Sequence, residues 1–331
     1  MRIITQSQVE THLTLDACIA VMREIMPAVS AGKALLPIRQ FMAVPGAPGK
    51  LAMMPGVIDD PWCFGIKLVC KYQRAPDSPY GSHVGMVMLF DAEAGVPLAM
   101  IEGASLTGIR TAAASALATD LLARRDARRL LVLGCGEQAR RHISALRRVR
   151  DIETVTVWGR DRARTEAFVA ETRAREELPV ALCDDLPAAL AASDIVCTVT
   201  ASPEPLFRGA DLAPGTHINL VGAAVPGSRE VDSECVARTR YFVDYRPATL
   251  AAAGELLTAI DEGVVGEDHI EAEIGAVAAG DHPVRRRDDD LTAYKSLGVA
   301  AQDLAAAHAL YRRVRELGVG DDITLNDLDV D

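Results

Sequence analysis

Positive charge is scarce in this chain of 331 residues, which has 35 lysines and arginines against 46 aspartates and glutamates. The formal net charge of −11 makes the chain a poor binder of a phosphate backbone, which argues against nucleic acid as the main partner. The one basic cluster, RRR at 285–287, is followed at once by DDD at 288–290, which indicates a solvated loop. Apolar residues make up 49% of the chain, enough for a real core.

Long apolar runs are also missing from the sequence. No stretch approaches the roughly 20 residues that a membrane-spanning helix needs. Residues 1–16 lack the apolar segment of a signal peptide. We therefore expect neither a membrane partner nor a secretory route.

Motifs for disulfides and metals are absent from the sequence as well. The chain has seven cysteines, no two of which form a CxxC pair, and most of them have apolar neighbours. We therefore expect reduced, buried thiols in a cytoplasmic protein. The seven histidines show no HExxH or similar spacing, which predicts no metal site. The cysteines are Cys18, Cys63, Cys70, Cys135, Cys183, Cys197 and Cys235.

A regular alternation of strand-like and helical patterns is present between residues 130 and 244. Helical patterns at 137–149 and 162–177 separate the first three apolar runs, and such alternation predicts a parallel sheet. Crossovers of this length predict the doubly wound α/β class. The strand-like runs are 130–134, 153–158, 195–200, 217–222 and 240–244.

The first 120 residues follow another pattern, typical of an antiparallel sheet with helices. An apolar stripe predicts a helix at 15–30, and a second helix is expected at 107–124. Strands are expected at 64–72, 84–90 and 96–101.

A helical pattern at 291–317 is long enough to leave the doubly wound part and pack back on the first part. We therefore predict two domains. The first, of α+β type, combines 1–122 with 305–331 and serves substrate binding and dimerisation. The second, 123–304, binds a dinucleotide.

The turn after the first parallel strand has the form Gly-x-Gly-x-x-Ala. Gly134 permits a tight turn, Gly136 lets the backbone approach a pyrophosphate, and Ala139 allows close packing of helix on strand. Because the motif lies between a predicted strand and a predicted helix, it favours a dinucleotide-binding Rossmann unit. The alternative is an ordinary tight turn.

The end of the next strand distinguishes the two nicotinamide cofactors. An acidic residue there would bind the ribose 2′-hydroxyl of NAD, but the chain has Gly159 and Arg160 at this place and no carboxylate before Asp161. A guanidinium suits a 2′-phosphate, so NADP is preferred and NAD stays possible. In the alternative, Arg160 is a surface arginine and Asp161 caps the next helix.

Three cations in the first part have apolar neighbours: Arg39, Lys67 and Arg110. A half-buried strand would point Lys67 to one face. Arg110 lies near a helix start, where its charge opposes the helix dipole, so an anionic partner is expected. The alternative is that all three are structural residues in ion pairs.

The chain resembles the ornithine cyclodeaminase/mu-crystallin family, and it is more similar to the mu-crystallin branch than to the cyclodeaminases. The resemblance covers nearly the whole length. It is carried by PIRQF (37–41), MMPG (53–56), GIKLVCKY (65–72), SHVGMVMLFDAEAGVPLAMIEG (82–103), LTGIRTAAASALA (106–118), LGCGEQARRH (133–142), INLVGAAVPGSREVD (218–232) and YKSLGVAAQDLAAA (294–307).

The resemblance implies a homodimer and a set of site residues. Arg39, Lys67 and Arg110 would be catalytic, binding one substrate carboxylate beside the nicotinamide, with Met54 in the apolar lining. His83 is either a site residue or a structural histidine. The implied cofactor contacts are Arg110, Thr111, Gly134, Gly136, Glu137, Gln138, Ala139, Gly159, Arg160, Thr198, Gly222 and Ser296.

Two departures from the cyclodeaminase pattern bear on the reaction. Ala224 and Ala52 stand where the resemblance leads us to expect carboxylates for a substrate amine and an attacking water. Without these acids a diamino acid has no evident ammonium partner and no general base. The sequence therefore argues against ornithine cyclisation.

The predicted function is NAD(P)H-dependent reduction of a ketimine or α-imino acid carboxylate, which in reverse is an amino-acid dehydrogenase. Two alternatives stay open. One is an amino-acid cyclodeaminase with a relocated acid, which would release ammonia. The other is a binding protein that holds NADPH and a small molecule without turnover.

Overall fold

The computed structural model describes residues 1–72, 74–75, 78 and 80–324. The chain forms two compact units, one of residues 1–110 with those from 299 onward and one of residues 111–298. None of the described helices is long and apolar enough to cross a membrane. The division by function predicted from the sequence stays a prediction.

Local capping sets several helix boundaries. The Glu102 carboxylate accepts hydrogen bonds from the Ala104 and Ser105 amides, so the helix predicted at 107–124 begins earlier, at Gly103. The helices are α1 Gln6–His12, α2 Leu15–Ser30, α3 Gly103–Leu122, α4 Glu137–Leu146, α5 Arg162–Glu176, α6 Leu186–Ala191, α7 Ser233–Arg238, α8 Arg246–Ala252, α9 Gly254–Asp261, α10 Ile274–Ala279 and α11 Ala300–Glu316.

The first unit contains a sheet that is antiparallel except where β1 runs parallel to β7. Its order is β16-β1-β7-β6-β5-β4-β2, and β3 also pairs with β4. Its strands are β1 Arg2–Ile4, β2 Ala34–Leu35, β3 Gln40–Ala43, β4 Gly49–Ile58, β5 Cys63–Tyr72, β6 His83–Asp91, β7 Pro97–Glu102 and β16 Asp321–Asp322.

The two faces of this sheet differ in burial. One face packs under α11: a Cβ placed on Gly65 would lie 2.7 Å from the Leu304 side chain, and one on Gly56 would lie 2.9 Å from Ala300. Along β5, Cys63, Gly65, Lys67 and Val69 are buried, whereas the alternating residues keep part of their surface exposed. Strand alternation therefore places Lys67 on the helix-covered face.

The second unit contains a fully parallel sheet with the order β10-β9-β8-β11-β12-β15-β13-β14. The order reverses at β8, since β9 and β10 lie on one side and β11 and β12 on the other. This confirms the predicted doubly wound α/β class. The strands are β8 Arg129–Leu133, β9 Thr154–Trp158, β10 Val180–Leu182, β11 Ile195–Thr198, β12 His217–Leu220, β13 Arg240–Val243, β14 Ile270–Glu273 and β15 Thr292–Lys295.

The helix predicted over 291–317 is wrong in its first third. Thr292–Lys295 is instead strand β15, fully buried between β12 and β13, and the helix begins only at Ala300. Gly298 has a φ of 78°, a conformation that interrupts a right-handed helix. Burial between two strands decided the structure of a segment whose apolar spacing also fits a helix.

Candidate active site

The first unit brings two of the predicted cations onto one carboxylate. Lys67 Nζ on β5 donates a hydrogen bond of 3.0 Å to Asp303 Oδ1, and Arg110 Nε on α3 donates one of 2.8 Å to the same oxygen. All three residues are buried: 4% of the surface of Lys67, 3% of that of Arg110 and 0% of that of Asp303 is exposed. Asp303, in the first turn of α11, is the anionic partner expected for Arg110. The predicted position near a helix start is wrong, because α3 begins at Gly103 and Arg110 lies inside it.

The Asp303 carboxyl group is ionised although it is buried. Burial opposes its ionisation, but the charges of Arg110 and Lys67 outweigh that effect and hold its pKa below the usual value. Its other oxygen, Oδ2, has no hydrogen-bond donor among the described residues, so it retains the capacity to accept one. The neighbouring Gln302 Oε1 accepts a 2.8 Å hydrogen bond from Arg110 Nη1, which fixes the guanidinium.

Lys67 has the chemistry of a proton donor near neutral pH. Burial and the charge of Arg110 lower its pKa to about 7, against the opposing effect of Asp303. Arg39 adds a smaller effect in the same direction. At pH 7 the ammonium and the amine are therefore both populated, as a general acid–base group requires.

The structure places the remaining predicted substrate residues around Lys67. Met54 is buried and is the direct cross-strand neighbour of Lys67. Arg39 is half-buried immediately before β3, and its charge acts on both Lys67 and His83. His83 keeps much of its surface exposed, and its Nδ1 lies 2.9 Å from Ser82 Oγ.

Sequence reasoning missed Asp303 and Gln302 as members of this cluster. Both lie in the segment 294–307 that carried the family resemblance, but there they attracted no separate interpretation. The signal was a lone carboxylate followed by an apolar run, LAAA, on a helix whose neighbouring residues are buried. A buried carboxylate generally needs a cationic partner.

The second unit has a turn suited to a pyrophosphate. Gly134 has a φ of 124°, and an added Cβ would lie 2.9 Å from the Val199 carbonyl oxygen, so this residue must be glycine. A Cβ on Gly136 would project into open space at the start of α4, where bare backbone lets an anion approach the helix N-terminus. Glu137 and Gln138 form the first turn of α4, and Ala139 is fully buried.

Glu230 organises the two loops beside this turn and was not predicted. Its Oε2 accepts 2.7 Å hydrogen bonds from Thr198 Oγ1 and the Gly222 amide, and its Oε1 accepts bonds from the amide and hydroxyl of Thr200. The Thr198 hydroxyl, predicted to contact cofactor, is thus used within the protein. Glu230 instead fixes the carboxyl ends of β11 and β12, where a doubly wound fold holds its ligand.

Other predicted cofactor residues lie in this second unit. The Ser296 hydroxyl and the Gln138 side-chain oxygen are buried and have no hydrogen-bond partner among the described residues, as expected of groups that await a polar ligand. Thr111 on α3 is buried, and Gly159 follows β9. Arg160 is exposed, while the Asp161 carboxylate caps α5 by accepting a 3.0 Å hydrogen bond from the Arg164 amide. These groups fit a nicotinamide dinucleotide.

The doubly wound sheet with its glycine turn defines a Rossmann-fold class of protein, in which such a turn is suited to a dinucleotide. Within that class the chain belongs to the ornithine cyclodeaminase/mu-crystallin family, whose model matches residues 1–318. The family predicted from the sequence is confirmed.

Similar proteins extend along almost the whole chain. It is 32% identical over 324 residues to a Δ1-pyrroline-2-carboxylate reductase of Bacillus cereus, covering 98% of this chain and 99% of the relative. The solved Thermococcus litoralis Δ1-pyrroline-2-carboxylate reductase with NADH and L-proline is 31% identical, with a TM-score of 0.94 over 98% of this chain and 100% of that one. An archaeal alanine dehydrogenase dimer with bound NAD is 29% identical, with a TM-score of 0.92 over 98% and 99%.

Proposed function

We propose that this chain is an imine reductase in which Lys67, Arg110 and Arg39 bind the substrate carboxylate and Lys67 also handles the proton. The activity is NAD(P)H-dependent reduction of a ketimine or α-imino acid carboxylate to an amino acid, and the enzyme is an oxidoreductase acting on CH–NH groups. The observation that carries the assignment of residues is the buried Lys67–Asp303–Arg110 cluster, which has two cations for one anion.

The residues of the cluster have separable roles in this reaction. Arg110 and Arg39 are permanently charged and attract the carboxylate of the substrate. Lys67, with a pKa of about 7, donates a proton to the substrate nitrogen, because an iminium accepts hydride better than a neutral imine. Asp303 holds Lys67 and Arg110 on one oxygen, and its Oδ2 is available to a substrate N–H. When bound, the nicotinamide supplies the hydride.

A substrate panel tests this function. Purified protein is mixed with NADPH or NADH and either Δ1-pyrroline-2-carboxylate, Δ1-piperideine-2-carboxylate, or pyruvate with ammonia or methylamine, and absorbance at the reduced-cofactor band is followed. We expect cofactor oxidation with at least one of these imines and formation of the matching amino acid. Lack of oxidation with every member of the panel would count against the proposal.

We further propose that NADP is preferred over NAD. Arg160 is exposed beside the turn after β9, and the nearest carboxylate, Asp161, is engaged as a helix cap. We expect kcat/KM for NADPH to exceed that for NADH, and Arg160→Ser to lower the NADPH/NADH ratio roughly tenfold, the value of one charge-assisted hydrogen bond. Arg125→Ser, at an arginine with 88% of its side chain exposed, serves as the control. A wild-type ratio below one would discard the preference.

We propose that the enzyme is a homodimer joined through the half-exposed face of the first unit's sheet. This face is apolar across neighbouring strands, as in the cross-strand rows Met53–Leu68–Met86 and Val57–Phe64–Phe90. A continuous apolar face of this kind marks a protein interface, and a two-fold dimer would bury it against its own copy.

Light scattering after size exclusion tests the dimer. We expect the wild type to have twice the chain mass and Ile66→Asp, a charge at the centre of the face, to be monomeric. Val264→Asp, at a valine 47% exposed in the second unit, should remain dimeric. A monomeric wild type at micromolar concentration is the opposing result.

We also propose a cytoplasmic location. All seven cysteines are free thiols. Cys18, Cys63, Cys197 and Cys235 are buried as expected, whereas Cys70, Cys135 and Cys183 are only partly buried. Burial raises the pKa of Cys18 and of Cys63 to about 12, so these thiols are unreactive. Free thiols are typical of a reducing compartment.

A further inference from the structure

A second group of basic residues lies on the same face of the sheet as Lys67. Lys50, Lys71 and His83 are direct cross-strand partners on β4, β5 and β6, in one row across the sheet. Strand alternation puts this row on the Lys67 face, since Lys71 is four residues from Lys67. Lys50 and Lys71 are two cations directly opposite each other on neighbouring strands, an arrangement that destabilises a sheet unless an anion compensates them. Burial lowers the pKa of His83 to about 4, so its imidazole is neutral at pH 7 and adds a hydrogen-bonding group to the row.

The two groups are close enough to form one positive region. The charge of Arg39 lowers the pKa of Lys67, of Lys71 and of His83, so Arg39 acts electrostatically on both groups. Burial lowers the pKa of Lys71 to about 8, and the charges of Arg39 and Lys50 act in the same direction. Among the described residues, Lys50 and Lys71 have no carboxylate within ion-pair distance.

One cross-strand row of apolar residues without charge separates the two groups. Ala52, Val69 and Gly85 form the cross-strand row between them. A residue rises about 3.3–3.4 Å along a strand, so the Cα atoms of Lys67 and Lys71 are about 13 Å apart, a span that two flexible lysine side chains can narrow. The Lys50 ammonium lies 4.2 Å from the centre of the Phe41 ring, and Phe41 is the cross-strand partner of Ala52. This contact holds the Lys50 ammonium beside the row of Ala52, Val69 and Gly85.

We propose that Lys50, Lys71 and His83 bind a second anionic group on the substrate, so that the preferred substrate is a dicarboxylic imino acid. The proposal rests on the proposed function, since it assigns the first carboxylate to Lys67, Arg110 and Arg39. A substrate with one carboxylate gives the row no anionic partner beyond those of the described residues, whereas a four- or five-carbon dicarboxylate supplies one negative charge to each group. A substrate with a cationic side chain is repelled by the same row.

Pairs of acid and amide amino acids test the inference in the oxidative direction. kcat/KM is measured with NAD⁺ or NADP⁺ for L-glutamate against L-glutamine and for L-aspartate against L-asparagine, which are close to isosteric. We expect the acid to exceed its amide roughly 10- to 100-fold in at least one pair, the effect of a hydrogen bond to a charged group. An acid no better than its amide in both pairs overturns the inference.

Variants assign the preference to this row. Lys71→Met is expected to lower the acid/amide ratio roughly tenfold, and Lys50→Met provides a second test if the first variant fails to fold. Lys33→Met, at an exposed lysine outside both groups, should retain the ratio. An unchanged ratio in folded Lys71→Met and Lys50→Met overturns the inference. Turnover of L-alanine or L-proline without acid preference leaves the proposed function intact, and turnover of no amino acid contradicts both.

Discussion

Replacing Lys67 with methionine is expected to lower kcat/KM for imine reduction roughly 10²- to 10⁴-fold, the usual contribution of a positioned acid–base group. Methionine has a similar volume and needs no buried counter-charge, so the loss reports the missing ammonium rather than a cavity. The measurement is steady-state oxidation of NADPH with a cyclic ketimine carboxylate. A loss of less than about threefold would show that Lys67 carries no proton in the reaction.

The pH dependence gives a second readout of the same residue. Because burial and Arg110 lower the pKa of Lys67 to about 7, kcat/KM for imine reduction should fall as the pH rises through about 7, where the ammonium loses its proton. Amino-acid oxidation needs the neutral amine and should rise through the same pH. Lys67→Arg keeps the charge but does not deprotonate, so it should remove this step from both profiles. Persistence of the step in that variant would assign it to another group.

Replacing Asp303 with asparagine is expected to destabilise the protein by about 3–5 kcal/mol, because Lys67 and Arg110 would remain buried without their counter-charge. The measurement is the free energy of unfolding from urea titration, compared with Asp126→Asn. The Asp126 side chain is 79% exposed, and its loss should change stability by less than about 0.5 kcal/mol.

A pH profile separates positioning by Asp303 from a purely structural role. The Asp303 charge raises the pKa of Lys67, so its removal should move the fall in imine reduction to lower pH. A purely structural role would lower stability and leave the profile in place. Asp303→Asn with wild-type stability and an unmoved profile would contradict the account of the cluster.

The sequence was sufficient to predict the parallel sheet, because β8, α4 and β9 each have a clear local strand or helix pattern. The glycine turn also lies where it was predicted, between β8 and α4. The sequence was insufficient to predict β15. There Thr292–Lys295 is a strand because of burial between two distant strands, which no local period records. Gly298 was the one local sign that a helix could not continue through this segment.

The candidate site, too, could be predicted only in part from the sequence. Three single cations with apolar neighbours could be found in the sequence: Arg39, Lys67 and Arg110. A charged side chain in apolar surroundings requires an oppositely charged partner or ligand. The partner of Lys67 and Arg110 lies 236 and 193 residues further along the chain, and only folding brings Asp303 to them. Glu230 was missed for the same reason, because its role lies in binding two loops that follow different strands.

Hydride transfer to the imine carbon is the step on which the account depends, and an isotope label follows it directly. NADPH doubly deuterated at nicotinamide C4 is incubated with the enzyme and Δ1-pyrroline-2-carboxylate, and the proline formed is analysed by mass spectrometry and NMR. We predict one deuterium at Cα and one oxidised cofactor for each proline. Unlabelled proline, or ammonia released from L-ornithine without net oxidation of the cofactor, would contradict it.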